Sequence, residues 1–428
     1  MIDILSAKGV HMVGVGGIGM SALAQYLLDH GIRVTGSDRD TSPVTELLEG
    51  KGMQVMMPQR AENVPEDADL VVYTEAVGED NPERVRAREL GIPQKSYFDA
   101  LGDISQRMRT VAVAGTHGKT TTTGMLARIL RDAGAEPTAI VGSLVRDFGS
   151  NYLPGTSDWL VVEACEYKRD FLTLSPEILV ITNLELDHTD YYADLADVQS
   201  AFRALAEKVP AHGFIVTNPA DPNIAPALEG AAGRIVDYTH EAGYPTRFPG
   251  EFNIMNARAA SAAARLVLPA LAEDGLRDSL AAFEGTWRRF EHKGRTGNGA
   301  DVYDDYAHHP TAVRSTLAAL RRKVAGKVYV AFHPHLFSRT RDLLPEFATA
   351  FGSADKVLVA PIYAAREIDD GTMSNAVLAD AIRANGVDAA PATFEEIEAL
   401  LSSEPREGDA VMTMGAGDIY KVADRLVS

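Results

Sequence analysis

Short apolar runs alternate with helical repeats along this chain. Strands are predicted over 10–13, 33–38, 70–74, 110–114, 159–163, 178–183, 327–332, 356–360 and 409–414. Between them the apolar positions return every three to four residues, as expected for helices over 22–28, 125–130 and 311–323. The alanine-rich run 257–264 also reads as helix, because alanine has the best helix propensity. Strands that alternate with helices point to parallel sheets and an α/β fold. The chain turns polar and charged over 101–109, and a new unit begins near Arg288. The expected domains are therefore 1–107, 108–287 and 288–428. No internal repeat or long low-complexity tract is present.

Composition narrows the function. The 428 residues carry a formal charge of −19, which argues against a non-specific nucleic-acid binder. A site for an anionic substrate must then be locally basic. The single cysteine, Cys165, excludes a disulfide within the chain and a thiolate metal cluster, and suits a reducing compartment. The N-terminus lacks the order of a signal peptide, and no apolar stretch is long enough to cross a bilayer, so a soluble cytoplasmic protein is expected.

The strongest chemical signal is Gly115-Thr116-His117-Gly118-Lys119-Thr120-Thr121, set between a predicted strand and a helix. Glycines let successive N–H groups turn toward one anion, and the helix N-terminus adds partial positive charge. Lys119 can reach the outer phosphates of ATP, and the Thr120 hydroxyl can hold Mg²⁺. Glu163 and His188 lie at or beyond the ends of strands in the same expected sheet, where oxygen ligands and a histidine can face a metal beside the γ-phosphate. A solvated acid and a structural histidine are the bland alternatives. Near the start, Gly14-Val15-Gly16-Gly17-Ile18-Gly19 is a variant of the dinucleotide fingerprint, with Asp38 after the second strand. Alone it fits NAD, a nucleotide sugar or only a tight turn. In the last segment Asp304-Asp305-Tyr306-Ala307-His308-His309-Pro310 and His333-Pro334-His335 through Arg339 are dense in polar groups. Their histidine spacings fit no zinc template. Arg339 can pair with a carboxylate through its planar fork.

Taken in order, these motifs resemble the Mur ligase family, in its alanine-adding branch. The matching stretches are Val15 to Ser21, Gly115 to Thr123, Asp304 to Pro310, Pro334 to Thr340 and Met414 to Ile419. The resemblance implies three domains: a Rossmann-like N-terminal domain, a P-loop ATPase-like central domain and a Rossmann-like C-terminal domain. It also implies that UDP-N-acetylmuramate, not NAD, lies on Gly16, Gly17, Ile18, Gly19, Met20 and Ser21, with Asp38, Thr74 and Glu75 nearby. Lys119 and Thr120 would hold phosphates and Mg²⁺, with Glu163 and His188 on the metals. Asn253, Asn256, Arg289 and Asp305 would meet ATP, while Tyr306, His308, His335 and Arg339 would lie near L-alanine. The expected activity is ATP-dependent ligation of L-alanine to a lactyl carboxylate through an acyl phosphate, in peptidoglycan precursor synthesis. The expected state is a monomer or weak homodimer, without membrane insertion or nucleic acid.

Relative to that family the stretch between Asn218 and Pro249 is short, so a small subsheet of the central domain is expected to be trimmed or lost. No lysine follows His188 until Lys208, and the alanine-adding branch is not expected to need one there. Three rivals remain: a sister ligase for a recycled tripeptide, a silent nucleotide-sugar sensor, and a dehydrogenase, which leaves the Lys119 loop unexplained.

Overall fold

Valine is the commonest residue of the strands, and apolar runs such as Val111-Ala112-Val113-Ala114 and Ile178-Leu179-Val180-Ile181 are stable where helices cover both faces of a sheet. In the computed structural model, which describes residues 3–365, 367–369 and 371–427, they form three sheets. The first is five-stranded and parallel, in the spatial order Gln54–Met56, Arg33–Ser37, Gly9–Val13, Leu70–Tyr73, Gln94–Ser96. The second has seven strands: Arg234–Asp237, Phe214–Thr217, Ile178–Ile181, Arg109–Ala114, Trp159–Glu163, Thr138–Val145 and Ser150–Leu153. Only its last pair is antiparallel. The third has six strands: Glu291–Arg295, Asp301–Asp305, Ala410–Met414, Val328–Phe332, Lys356–Val359 and Asp388–Pro391, with its first pair antiparallel.

The described chain divides into two compact units. Unit 1 comprises 1–184, 198–245 and 255–284; unit 2 comprises 185–197, 246–254 and 285–428. The first two sheets lie in unit 1 and the third in unit 2. Between Thr217 and the helix Glu251–Val267 the described chain adds one strand and short 3-10 turns to the large sheet, and forms no separate small sheet.

Strand ends explain where polar groups emerge. The run 178–183 was expected to be extended throughout, but the strand stops at Ile181. Thr182 and Asn183 leave the ladder and bond to the loop Gly115 to Thr121 through the His117 carbonyl. The helix expected over 311–323 runs Pro310–Arg321, with the His309 side chain accepting from the Thr311 amide as its N-cap. Proline at the first helical position loses no bond, because that N–H has no partner in the helix.

Candidate active site

In unit 1 the strand Gly9–Val13 runs into Gly14, whose φ of 81° is left-handed. The helix Ile18–Asp29 follows, and no side chain caps it. Its first amides are thus available to an anion. Asp38 braces this turn: its Oδ2 accepts from the Gly16 amide at 2.7 Å. Thr74 lies against Gly14, where an added Cβ would meet its methyl group. Glu75 follows on the exposed surface.

The glycine loop Gly115 to Thr121 is built by the large sheet. The strand Arg109–Ala114 pairs with Ile178–Ile181 on one side and Trp159–Glu163 on the other, so all three end at the same edge. Gly118 has φ 83° and starts the helix Lys119–Asp132 without a side-chain cap. The loop is held from the neighbouring strand end. Asn183 Oδ1 accepts from the His117 amide at 2.9 Å, Asn183 Nδ2 donates to the His117 carbonyl at 2.9 Å, and Thr182 Oγ1 donates to that carbonyl at 2.6 Å. Asn256 lies against Gly118, where a Cβ would collide with its Oδ1.

Lys119 donates to the Gly115 carbonyl at 2.5 Å and pairs with Glu166 Oε2 at 2.9 Å. Burial favours the neutral amine, but the Glu166 carboxylate outweighs it and holds the ammonium above its ordinary pKa. Lys119 is therefore charged at neutral pH. Thr120 Oγ1 donates to Glu163 Oε1 at 2.9 Å, while Glu163 Oε2 accepts from the Gly142 amide at 2.7 Å. A hydroxyl and a carboxylate thus converge beside the loop. This hard-oxygen pair suits Mg²⁺.

Unit 2 gathers a second set of groups at the ends of its strands. Arg288 is buried and donates to Asp304 Oδ2 at 2.7 Å, to the Gly415 carbonyl at 2.6 Å and to the Gly417 carbonyl at 2.9 Å. It thereby fixes the glycine turn after the strand Ala410–Met414. Asp305 spends its two oxygens on the Phe290 and Ala307 amides, each at 2.7 Å. Burial lifts its pKa above the ordinary value against the pull of Arg289. The Arg289 guanidinium lies 5.0 Å from the centre of the Tyr306 ring.

Arg339 is also buried and contacts Asp187 Oδ1 through Nε at 2.8 Å and Nη2 at 2.7 Å. Its third nitrogen, Nη1, donates to His335 Nδ1 at 2.9 Å. Burial alone would raise the Asp187 carboxyl, but Arg339 overrides it and holds the group well below the usual range. His308 Nδ1 donates to the Tyr306 carbonyl at 2.9 Å. Burial, aided by Arg339, keeps this imidazole neutral by pushing its pKa well down. The segment carrying Asp187 is further tied within unit 2 by Thr311 Oγ1, which donates to Glu185 Oε2 at 2.7 Å, and by His309 Nε2, 3.2 Å from the Leu186 carbonyl. His188 follows in a left-handed conformation, φ 53°, which costs a non-glycine residue energy.

The nominated residues therefore fall into groups. Gly16 to Ser21, Asp38, Thr74 and Glu75 follow the strands Gly9–Val13, Arg33–Ser37 and Leu70–Tyr73 of the first sheet of unit 1. Gly115 to Thr121, Glu163 and Asn256 gather around the large sheet. His188, Asn253, Arg289, Asp305, Tyr306, His308, His335 and Arg339 belong to unit 2, where Asn253 Nδ2 donates to the Pro249 carbonyl at 2.9 Å. Sequence reasoning passed over Gly142, Glu166, Asn183, Asp187 and Arg288. Glu166 and Asp187 stand beside nominated residues in Glu163-Ala164-Cys165-Glu166 and Asp187-His188, so a charged neighbour was the available signal. Gly142 and Asn183 carried none.

Comparison with known proteins matches the same three regions. The model of the Mur ligase family catalytic domain covers residues 9–109, that of the Mur ligase middle domain 113–244, and that of the Mur ligase glutamate ligase domain 288–417. A UDP-N-acetylmuramate–L-alanine ligase of Clostridium novyi is 39% identical over 97% of this chain and 96% of its own length. The crystal structure of a UDP-N-acetylmuramate-alanine ligase from Thermotoga maritima is similar with a TM-score of 0.81 and 29% identity, covering 98% of both chains. A murein peptide ligase from Psychrobacter arcticus gives a TM-score of 0.75 and 26% identity over 98% of both chains. With three family models in sequence order and a full-length relative at this identity, the chain belongs to the Mur ligase family.

Proposed function

We propose that this protein joins L-alanine to the lactyl carboxylate of UDP-N-acetylmuramate at the expense of ATP, in peptidoglycan precursor synthesis. The observation that carries the reading is the phosphate loop with charged Lys119 beside the Thr120–Glu163 oxygen pair. It is supported by the name of the relative that is 39% identical along its full length. The tripeptide alternative has weaker support, from a murein peptide ligase at 26% identity.

The uridine diphosphate moiety sits on Gly16 to Ser21, where the uncapped helix presents N–H groups to the pyrophosphate. Asp38 keeps that turn in shape, with Thr74 and Glu75 beside it. ATP phosphates lie on Gly115 to Thr121, and Asn256, Asn253, Arg289 and Asp305 are the further residues assigned to ATP. Thr120, Glu163 and His188 would hold Mg²⁺, which would neutralise charge on phosphate oxygens. Tyr306, His308, His335 and Arg339 receive alanine. The domains are 1–107, 108–287 and 288–428, and the protein works in the cytoplasm as a monomer or weak homodimer.

A carboxylate is a poor electrophile. Its oxygen therefore attacks the γ-phosphorus, ADP leaves, and an acyl phosphate results. The alanine amine then attacks the acyl carbon, phosphate departs, and the nitrogen loses a proton as the amide forms. Two anions meet in the first step, on a chain of net charge −19. Lys119 and the loop amides offset that repulsion, most strongly as negative charge shifts toward the leaving ADP.

ADP release is to be followed with UDP-N-acetylmuramate and either L-alanine or a tripeptide. Turnover with L-alanine is expected. In Lys119→Ala it falls by roughly 10²-fold or more, the scale of losing a main charge-stabilising donor, while nucleotide-sugar affinity is kept. Equal rates in the two proteins, or turnover only with the tripeptide, would contradict the assignment.

A further inference from the structure

Unit 1 contains a closed polar network that joins Ile18 and Ser21, assigned above to the sugar nucleotide, to Gln25, Ser150 and Asn151, which the reaction as described does not use. Asn151, in the strand Ser150–Leu153, is fully buried, as are Gln25 and Ser21 of the helix Ile18–Asp29. Asn151 Nδ2 donates to the Ile18 carbonyl and to Ser21 Oγ, the latter at 2.9 Å. Asn151 Oδ1 accepts from Gln25 Nε2 at 3.0 Å, and Gln25 Oε1 accepts from Ser150 Oγ at 3.0 Å. The second Gln25 hydrogen reaches the Ser21 carbonyl at 3.3 Å. Both amides thus use both hydrogens and their oxygen. Burying two amides is costly unless every bond is made, and apolar side chains would fill the same space without that cost. What the amides add is direction: they fix how the helix sits along the strand.

The strand that bears Asn151 pairs with Thr138–Val145. That second strand carries Gly142, whose amide donates to Glu163 Oε2 at 2.7 Å, and Glu163 Oε1 in turn accepts from Thr120. A side chain at position 142 would strike the Glu163 carboxylate. One hairpin therefore grips the first turn of the helix Ile18–Asp29 through Asn151 and the Glu163 carboxylate through Gly142, both within the irregular stretch between the pairs Ile140–Tyr152 and Val145–Ser150.

We infer that Asn151 and Gln25 are positioning residues that keep the nucleotide-sugar turn in register with Glu163, so that binding of the sugar nucleotide and of metal–ATP are thermodynamically coupled. This rests on the substrate assignment above. Linkage makes the coupling reciprocal and measurable as a ratio of affinities, commonly about 5- to 150-fold.

The test is calorimetric titration of UDP-N-acetylmuramate, with and without saturating Mg²⁺ and a non-hydrolysable ATP analogue, on wild type, Asn151→Ala and Ser150→Ala. Wild type is expected to bind the sugar nucleotide at least about fivefold tighter with the analogue present. In Asn151→Ala the ratio falls to within about twofold of unity, whereas affinity for the analogue alone stays within about twofold of wild type. In Ser150→Ala, which deprives Gln25 Oε1 of its donor and the Tyr152 amide of an acceptor but leaves Asn151 in place, the ratio falls by about threefold, and this variant decides the matter if the first does not fold. A purely structural role would weaken both affinities and leave their ratio unchanged. An unchanged ratio in the variants, or no coupling in wild type, overturns the inference. Failure of wild type to bind the sugar nucleotide at all would overturn the substrate assignment first, and the coupling with it.

Discussion

Asp187→Ala removes the carboxylate that faces Arg339 inside unit 2. The side chains are 8% and 3% exposed, and two guanidinium nitrogens lie 2.8 and 2.7 Å from the same oxygen. Truncating one partner of such a pair leaves a charge in a poorly solvated place, at a cost of about 3–5 kcal/mol. Asp187→Asn keeps an acceptor and loses only the charge, so about half that cost is expected. The double variant Asp187→Leu/Arg339→Met strands no charge and should recover most of the loss, giving a coupling of about 2 kcal/mol or more in a double-mutant cycle. The readouts are denaturant unfolding and amide hydrogen exchange over 185–197. Thr311 and His309 also anchor this segment, so it loosens without leaving. At one decade for each 1.4 kcal/mol, exchange there should quicken by roughly 10²- to 10³-fold in Asp187→Ala. Asp187 titrates lower in the folded chain than unfolded, so its stabilisation is complete above the unfolded carboxylate pKa and declines only as the pH falls through that value toward the folded one. The penalty should therefore be the same at pH 7 and at pH 5. A cost below about 1 kcal/mol with unchanged exchange would refute the reasoning.

Two further outcomes are expected. Gly118→Ala forces a side chain into a φ of 83° and onto Asn256 Oδ1, so nucleotide affinity measured by calorimetry should drop at least about tenfold, with thermal unfolding shifted by no more than a few degrees. His333 is buried with its pKa pushed down to about 4, chiefly by burial, with Arg288 nearby. The unfolded chain then binds more protons than the folded one between that value and its ordinary pKa of about 6.5, so stability is full above the ordinary value and declines as the pH falls through this window, by up to about 3 kcal/mol. His333→Gln should flatten that slope in urea titrations at successive pH values, and an unaltered slope would contradict the assignment.

The sequence by itself determined the alternation of strands and helices and the motifs at the strand ends. Apolar runs and glycine turns are local signals, and a strand followed by Gly-Lys-Thr and a helix is a local structure. The fold class was legible for that reason, as was the convergence of Thr120 and Glu163 beside the Lys119 loop. Asn183, Gly142 and Asn151 were not, since an asparagine or glycine acquires its role only when a distant strand is set beside another. Thr182 and Asn183 looked like the end of a strand; they leave the sheet because the phosphate loop next to them offers its carbonyl and amide. The tertiary structure alone decided that Glu166 neutralises Lys119, that Arg339 spends its fork on Asp187, and that residues 185–197 cluster with the C-terminal sheet rather than with the strand that precedes them. Charge pairing and hydrogen-bond satisfaction act through space with little regard for chain order, and burial makes them costly to leave incomplete.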